Sequence, residues 1–546
     1  MSAPPPAAKS TFTVIFDGRP VEVPRDANLI EAARLAGIHI PHFCWHPRLS
    51  VVGQCRMCLV EIEGMPKIQA ACTTPLKEGL SVKTTTEKVR QSRAATMEFL
   101  LINHPLDCPI CDQAGECTLQ DNSFGYGSQL SHFDESKRQY PSFDRTMIGP
   151  HVIADMTRCI QCTRCIRYCQ EIAGTSELTF LDRGGRTLVW THDGKPLAND
   201  WSAGAADVCP VGALTTREFR FRSRVWYLHK TPSVCPGCNI GCNLSIENKD
   251  SVVYRFLPRL NPEVNDYWLC DYGRFLSESL NTRDIDKATV RDGENVKNVS
   301  VPIALDRIAE AIAKASPSAV FLLGSANLSN EENFLLRKLA DHLGCGNRDV
   351  VVDRSRSRKM KSKNGWIEGD HAGANFQGAK DMGLSPARSG YGLDAVLDGK
   401  AQPEVVFVAD GAFSAVADEA AKVAVLRRAK FLAVAARSAS ALTRAADVVL
   451  PAASHAEREG TFTNVQGRVQ KCERAFLPKP AVRECGDLLL LLALRLGWGD
   501  RTWKPADLLR QIQAEVEGYA DVTEAELSGG GLMKKGLFGR PGSPEP

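Results

Sequence analysis

Fifteen cysteines and one histidine in the first half of this 546-residue chain fall into four groups of four. The groups are Cys44, Cys55, Cys58 and Cys72; His104, Cys108, Cys111 and Cys117; Cys159, Cys162, Cys165 and Cys209; and Cys235, Cys238, Cys242 and Cys270. Each has the spacing of an iron–sulfur cluster site, so the chain reads as an electron wire. Only Cys169, Cys345, Cys472 and Cys485 are left over from the 19 cysteines.

Length and charge narrow the alternatives. The chain is long enough for several domains with buried cores. Its 67 basic and 64 acidic residues give a net charge of +3, which leaves no electrostatic case for nucleic acid or anionic lipid as main partner. The opening MSAPPPAAKS has neither the basic flank and apolar stretch of a signal peptide nor the arginine-rich pattern of a transit peptide, so a cytoplasmic, bacterial setting is expected. The longest apolar run, Leu488 to Leu494, is far short of the roughly 20 residues a membrane helix needs, so membrane association is expected only through partners. In a reducing compartment, so many closely spaced cysteines point to metal ligation rather than disulfides.

The first module begins with TFTVIF, turns at Asp17-Gly18 and returns as VEV, the pattern of a hairpin. Residues 28–37 read as a short amphipathic helix ended by glycine, followed by a cysteine loop and the strands CLVEI and LSVKT. This order resembles the β-grasp fold of plant-type ferredoxins. The spacing C-x10-C-x2-C-x13-C has a longer first gap than theirs, similar to the variant that opens respiratory complex I and NAD-linked hydrogenase subunits. Residues 87–103 are expected to form a helix delivering HPLDCPICDQAGEC. His104 could be an ordinary helix-terminal histidine. Cys108, Cys111 and Cys117, however, leave a cubane one ligand short with no unassigned cysteine nearby, which favours His104 as ligand. His42, His46 and His132 are expected to be ordinary loop or surface residues.

RCIQCTRCIRYCQ and the later DVCPVGAL carry the bacterial ferredoxin signature, in which the Cys-Pro cysteine comes from a remote segment. Cys169 competes with Cys209 for that place but is followed by Gln170, so it reads as a buried free thiol or a relic of a lost ligand. Cys242, the last residue of CPGCNIGC, is followed after 27 residues by Cys270 of LCDYGR, with Gly237 and Gly241 expected to turn the backbone and aim amides at sulfur. Arg158, Arg164 and Arg167 are either counter-charges for thiolates or plain solvated surface. Zinc is the chemical rival, but C-x2-C-x2-C puts three ligands in one short loop, whereas structural zinc takes paired ligands separated by a loop.

Beyond residue 300 cysteine nearly disappears. SAVFLLGSA leads into the helix NEENFLLRKLADHLG, EVVFVADG into a helix at 415–429, and FLAVAA and ADVVLPAA close the series, the pattern of a parallel sheet covered on both faces. Gly324 and Gly411 sit at strand-to-helix turns, and neither belongs to a G-x-G-x-x-G dinucleotide fingerprint. Asn375 to Gly383, Pro386, Gly390-Tyr391 and residues 446–470 resemble molybdopterin oxidoreductases, notably formate dehydrogenases, as does CPGCNIGC. Two departures stand out. Tyr272 occupies the place of those enzymes' lysine, and only 104 residues separate Cys270 from Asn375, which leaves no room for a molybdenum pocket.

Taken in order, these modules make the chain similar to the large iron–sulfur subunits of bacterial NADH:quinone oxidoreductase, respiratory complex I. The resemblance covers residues 11 to about 480. It implies an α+β and α/β multidomain chain, with a β-grasp 2Fe-2S domain at 1–83, a 4Fe-4S domain with one histidine and three cysteine ligands at 84–150 and a ferredoxin-like 4Fe-4S domain at 151–226. A fourth 4Fe-4S domain would occupy 227–290, a truncated molybdopterin-oxidoreductase-like domain without molybdopterin 291–528, and a flexible tail 529–546. It further implies a relay without bond chemistry in this chain. Electrons from NADH would pass over FMN and a cluster on a partner subunit to the His104 group, then to the Cys159 group, then towards quinone. The protein would be peripheral on the cytoplasmic side of the inner membrane. A molybdenum or tungsten formate dehydrogenase chain and the diaphorase module of an NAD-linked hydrogenase are the alternatives.

Overall fold

The computed structural model describes residues 11–128, 130–351, 357–370, 373–411, 419–499 and 503–534, and the chain divides into two compact units, 1–227 and 228–546. The first ten residues, the start of the helix expected at 415–429 and the tail beyond Lys534 lie outside the described residues.

In the first unit, Thr11–Phe16 and Arg19–Pro24 pair antiparallel about Asp17 and Gly18, both at positive φ, the backbone that a two-residue hairpin demands. Thr11–Phe16 also pairs parallel with Leu80–Lys83, and Leu59–Ile62 and Gln69–Ala70 complete a five-stranded mixed sheet. The helix Leu29–Leu35 starts at an Asn28/Glu31 capping box and buries Leu29, Ile30, Ala32 and Ala33 with the sheet residues Val14, Phe16, Ile62 and Val82. This is the β-grasp order expected from sequence. Thr86 caps the helix Glu87–Leu101, which ends two residues short of the expected 103, and Thr118–Tyr126 follows the second ligand group. The third module is a small antiparallel sheet, Leu214–Thr216, Val152–Asp155 and Asp144–Met147, with the short helix Arg164–Tyr168 and a hairpin, Leu178–Leu181 with Leu188–Thr191.

The second unit opens with three antiparallel strands, His229–Val234, Asn243–Lys249 and Val252–Pro258, and the helix Asp271–Ser279. A seven-stranded sheet follows. Val448–Pro451, Phe431–Ala436, Val405–Val408, Val320–Ser325 and Arg348–Val351 run parallel, with Ala288–Asp292 and Asn295–Val299 antiparallel at one edge. Alternate residues of each central strand feed different cores. Leu322, Phe407, Ala433 and Ala435 join one cluster, while Phe321, Leu323, Val406, Val408, Leu432 and Val434 join the other. Both faces are therefore covered, which is why these strands read as unbroken apolar runs.

The tail expected to be flexible from Gly529 is corrected in part. Leu532–Met533 pair with Arg468–Cys472, and Lys534 is buried, with its ammonium on the Asp381 carboxylate and 5.8 Å from the Tyr519 ring centroid. The glycines that suggested flexibility serve a tight approach instead. A Cβ on Gly531 would lie 2.2 Å from the Val469 carbonyl oxygen.

Candidate metal centres

The first quartet lies on the loop between the helix and the strand Leu59–Ile62, with Cys72 supplied by the turn Ala71–Thr73. The Cys44 thiol is hydrogen-bonded to those of Cys55 and Cys72, and Cys72 to Cys58. These bonds hold Cys44 well below the ordinary thiol range and push Cys55 and Cys72 up. Four thiols this close cannot all ionise unless positive charge sits among them, which is what a ferric cluster would bring.

His104 is brought to the second group. A small cavity is lined by His104, Cys108, Cys111 and Cys117, with Asp107, Arg158 and Gly212 around it. The half-buried imidazole is hydrogen-bonded to the Arg158 backbone while its shielded Nδ1 has no partner, and desolvation lowers its pKa to about 4. A neutral ring that donates through one nitrogen and leaves the other's lone pair unpaired is prepared as a metal ligand.

The third cavity is lined by Cys159, Cys162, Cys165 and Cys209 among apolar neighbours such as Met156, Val189 and Leu214. Gln161 and Thr163 take left-handed φ angles of 56° and 62°, and the Gln161 amide donates to Cys159 Sγ at 3.3 Å. Cys169 is buried away from this lining, and burial pushes its thiol up to about 12.

All four cysteines of the fourth group are buried. The loop is closed by a hydrogen bond from the Cys235 amide to the Cys242 carbonyl (2.7 Å), and the Gly237 and Gly273 amides lie 3.5 Å from Cys235 and Cys270 Sγ. Cys270 is the N-cap of Asp271–Ser279, so it faces the positive end of a helix. A Cβ on Gly273 would lie 2.7 Å from Cys235 Sγ, so this space is kept for sulfur and what it binds. Of the two expected turn glycines, Gly241 has positive φ, while Gly237 contributes its amide instead.

Among the described residues, no three His, Cys, Asp or Glu side chains close on a single metal ion. That is compatible with groups that would each enclose a cluster, because a four-iron cluster gives every ligand its own iron and a two-iron cluster divides four ligands between two, whereas structural zinc draws four ligands onto one ion. The unassigned cysteines are dispersed. Cys345 and Cys485 lie in the α/β core, and Cys472 lies 3.1 Å from Ser233 Oγ. His42 packs edge-on to Trp45, and His132 pairs with Glu98.

Sequence reasoning missed how the groups join. Arg167, 5% exposed, donates to the carbonyls of Cys44 (2.5 Å), Ser50 and Cys162 (3.3 Å), spanning the first and third groups. Arg164 bonds the Trp45 carbonyl at 2.5 Å, and Gln54 donates to the Gln161 carbonyl. On the other side of the third group, Arg158 donates to Asp107 at 2.9 Å, and Cys117 Sγ lies 3.8 Å from the Pro210 carbonyl. The third group is therefore packed against both the first and the second. These arginines are not solvated surface. The expected step from the second group to the third runs between packed neighbours, and the first group, which that order did not place, lies against the third group as well.

The chain matches family models in the same order. They are the 2Fe-2S iron-sulfur cluster binding domain (9–87), the NADH-ubiquinone oxidoreductase-G iron-sulfur binding region (93–132) and the NADH-quinone oxidoreductase subunit 3 ferredoxin-like domain (149–215). The NADH-ubiquinone oxidoreductase NDSU1/NuoG-like 4Fe-4S domain (228–278) and molybdopterin oxidoreductase (355–485) follow. The G subunit of NADH-quinone oxidoreductase from Rickettsia felis is 41% identical over 335 residues, 61% of this chain and 50% of that protein. The mitochondrial NADH dehydrogenase (ubiquinone) iron-sulfur protein 1 of Solanum tuberosum is 39% identical over 343 residues, 63% of this chain and 46% of that protein. A chain of an NAD+-reducing NiFe-hydrogenase is 32% identical over 39% of this chain and 91% of its own, with a TM-score of 0.36. The chain spans about half the length of the curated relatives it matches.

Proposed function

We propose that this chain, whose iron–sulfur region is similar to that of NADH-quinone oxidoreductase G subunits, is the electron-relay subunit of a complex I. The observation that carries this reading is the bridging of successive ligand groups in the first unit by Arg167 on one side and Arg158 on the other. Independent structural metal sites have no need of such bridges; a relay needs its centres close and fixed.

When bound, iron–sulfur clusters supply sites that take up and release single electrons. The chain's own residues do the rest. Cys44, Cys55, Cys58 and Cys72 would hold a two-iron cluster, and the His104, Cys159 and Cys235 groups would each hold a four-iron cluster. The proposed order of sites in the first unit is first, third, second. The Gln161, Gly237 and Gly273 amides stabilise charge on sulfur, and the apolar lining of the third site excludes water. NADH and FMN would be bound by a partner subunit, with other complex I subunits passing electrons towards quinone. As part of a complex I the chain would be peripheral, on the cytoplasmic side of the membrane; among the described residues no helix is long and apolar enough to cross one.

Metal analysis with EPR of the dithionite-reduced protein tests the reading. One two-iron and three four-iron clusters require about 14 iron atoms per chain. Zinc in place of iron would make the groups a structural scaffold, and one molybdenum per chain would return the second unit to catalysis.

A further inference from the structure

The second unit holds a hairpin, Ser357–Ser362 paired with Gly365–Asp370, that lies directly on the loop carrying Cys235, Cys238 and Cys242. Asn239 fastens it. Its amide donates to the Asp370 carbonyl (3.1 Å), its side-chain nitrogen to Asp370 Oδ1 (2.7 Å), and its Oδ1 accepts from the Asp370 amide (2.8 Å). Gly369 presses so close that a Cβ there would lie 2.3 Å from Asn239 Oδ1 and 2.5 Å from Ile240. Arg358 is the cross-strand partner of Gly369, and its guanidinium lies 4.9 Å from the centroid of the Tyr272 ring. That ring in turn covers the cysteine loop, because a Cβ on Gly237 would meet Tyr272 at 3.0 Å. Tyr272, which the sequence marked only as a departure from related enzymes, is thus a shelf between ligand loop and cation.

We propose that this hairpin is a charge-bearing cover of the fourth ligand group, in which Arg358, seated on Tyr272, raises the reduction potential of the cluster held there. The proposal rests on the reading that Cys235, Cys238, Cys242 and Cys270 hold a four-iron cluster. Reduction adds one electron and therefore one negative charge to such a centre, so a fixed cation stabilises the reduced form. Geometry holds Arg358 beside the ligands: its cross-strand partner Gly369 packs on Asn239 and Ile240, between Cys238 and Cys242, and its guanidinium lies over Tyr272, two residues beyond Cys270. Asp370, bonded to Asn239, and Asp271, next to Cys270, bring opposing charge, while Arg274, on the helix that Cys270 caps, adds to that of Arg358. Tyr272 is the positioning residue, since an aromatic face holds a guanidinium by cation–π attraction.

The test is a potentiometric titration with dithionite, followed by EPR, on the full chain in its assembled complex. R358Q should keep its full iron content and shift the midpoint of the fourth cluster to lower potential, while R358K should stay near the wild type. Y272F keeps the shelf and should leave the midpoint unchanged; Y272L removes it and should shift the midpoint in the direction of R358Q. Full iron with an unchanged midpoint in R358Q overturns the proposal. Should R358Q fail to assemble, an unchanged midpoint in Y272L overturns it. A wild-type chain lacking about four of its 14 irons and any signal from this site would instead sink the ligand assignment beneath it.

Discussion

Gly212 approaches Cys111 so closely that a Cβ built on it would lie 2.2 Å from the cysteine sulfur. Gly212 follows Cys209 by three residues, so the backbone leaving the third group forms the wall of the second. A methyl group cannot enter without displacing Cys111, and overpacking of this kind costs about 1–3 kcal/mol. Gly212→Ala should therefore lose or distort the second cluster, with about four fewer irons per chain and loss of its EPR signal. Retention of both would show that the wall yields.

His104 presents an unpartnered Nδ1 to a buried site, and removing the ring leaves one coordination position empty. His104→Ala should impair cluster assembly and NADH-driven quinone reduction. His104→Cys replaces a neutral ligand by an anionic thiolate, so a cluster that assembles should have a lower midpoint potential. Identical spectra and potentials in both variants would make His104 an ordinary buried histidine.

Two cysteines compete for the third site in the sequence, and the cavity lining separates them. Cys209 lines it with Cys159, Cys162 and Cys165; Cys169 does not. Cys209→Ala should abolish or cripple this cluster. Cys169→Ala should leave iron content and relay near wild type, at a stability cost of about 1 kcal/mol for a small buried truncation. EPR of the assembled complex checks both, and the reverse pattern would refute the assignment.

The ligand groups were legible because cluster chemistry imposes short, fixed spacings, and the α/β half because buried parallel strands are apolar on both faces. What spacing cannot reveal is contact between segments far apart in sequence. Arg167 and Cys44 are 123 residues apart, and a lone arginine near a ligand loop looks the same whether it is solvated or buried. The glycines Gly212 and Gly531 were silent for the same reason, since the side chain each excludes belongs to a remote neighbour. Lys534 was hidden by composition, because a glycine-rich tail gives no hint of the Asp381 and Tyr519 pocket that receives its ammonium.

Arg167 satisfies three carbonyls at once and also reaches Thr163 Oγ1 at 3.3 Å. Arg167→Met keeps the apolar stem and removes every donor. Buried carbonyls left unpaired cost about 1–3 kcal/mol each, so a stability loss of a few kcal/mol is expected. The first and third clusters should still assemble, but their magnetic interaction in EPR and the relay rate should fall together. A normal rate in a destabilised variant would reduce the clamp to a structural one.

Glu331 gives the second unit a pH dependence independent of the ligand groups. It is buried, and its carboxyl oxygens lie 2.8 Å from the Thr461 amide and hydroxyl. Burial raises its pKa from an ordinary 4.5 to about 7, with the Thr461 bonds acting against the rise. The folded state thus holds this proton more tightly than the unfolded chain does. The contribution is complete below about pH 4.5 and is lost as pH rises through 7, which at 1.36 kcal/mol per unit is on the order of 3 kcal/mol. Glu484, also raised to about 7 by burial and by Glu332, acts in the same direction, whereas Glu332 itself lies 3.6 Å from Arg458. Glu331→Gln keeps the shape and removes the ionisation. Between pH 6 and 8 the variant should lose less stability than the wild type in chemical denaturation of the iron-loaded protein. Parallel pH profiles for the two proteins would mean that Glu331 is already ionised in the fold.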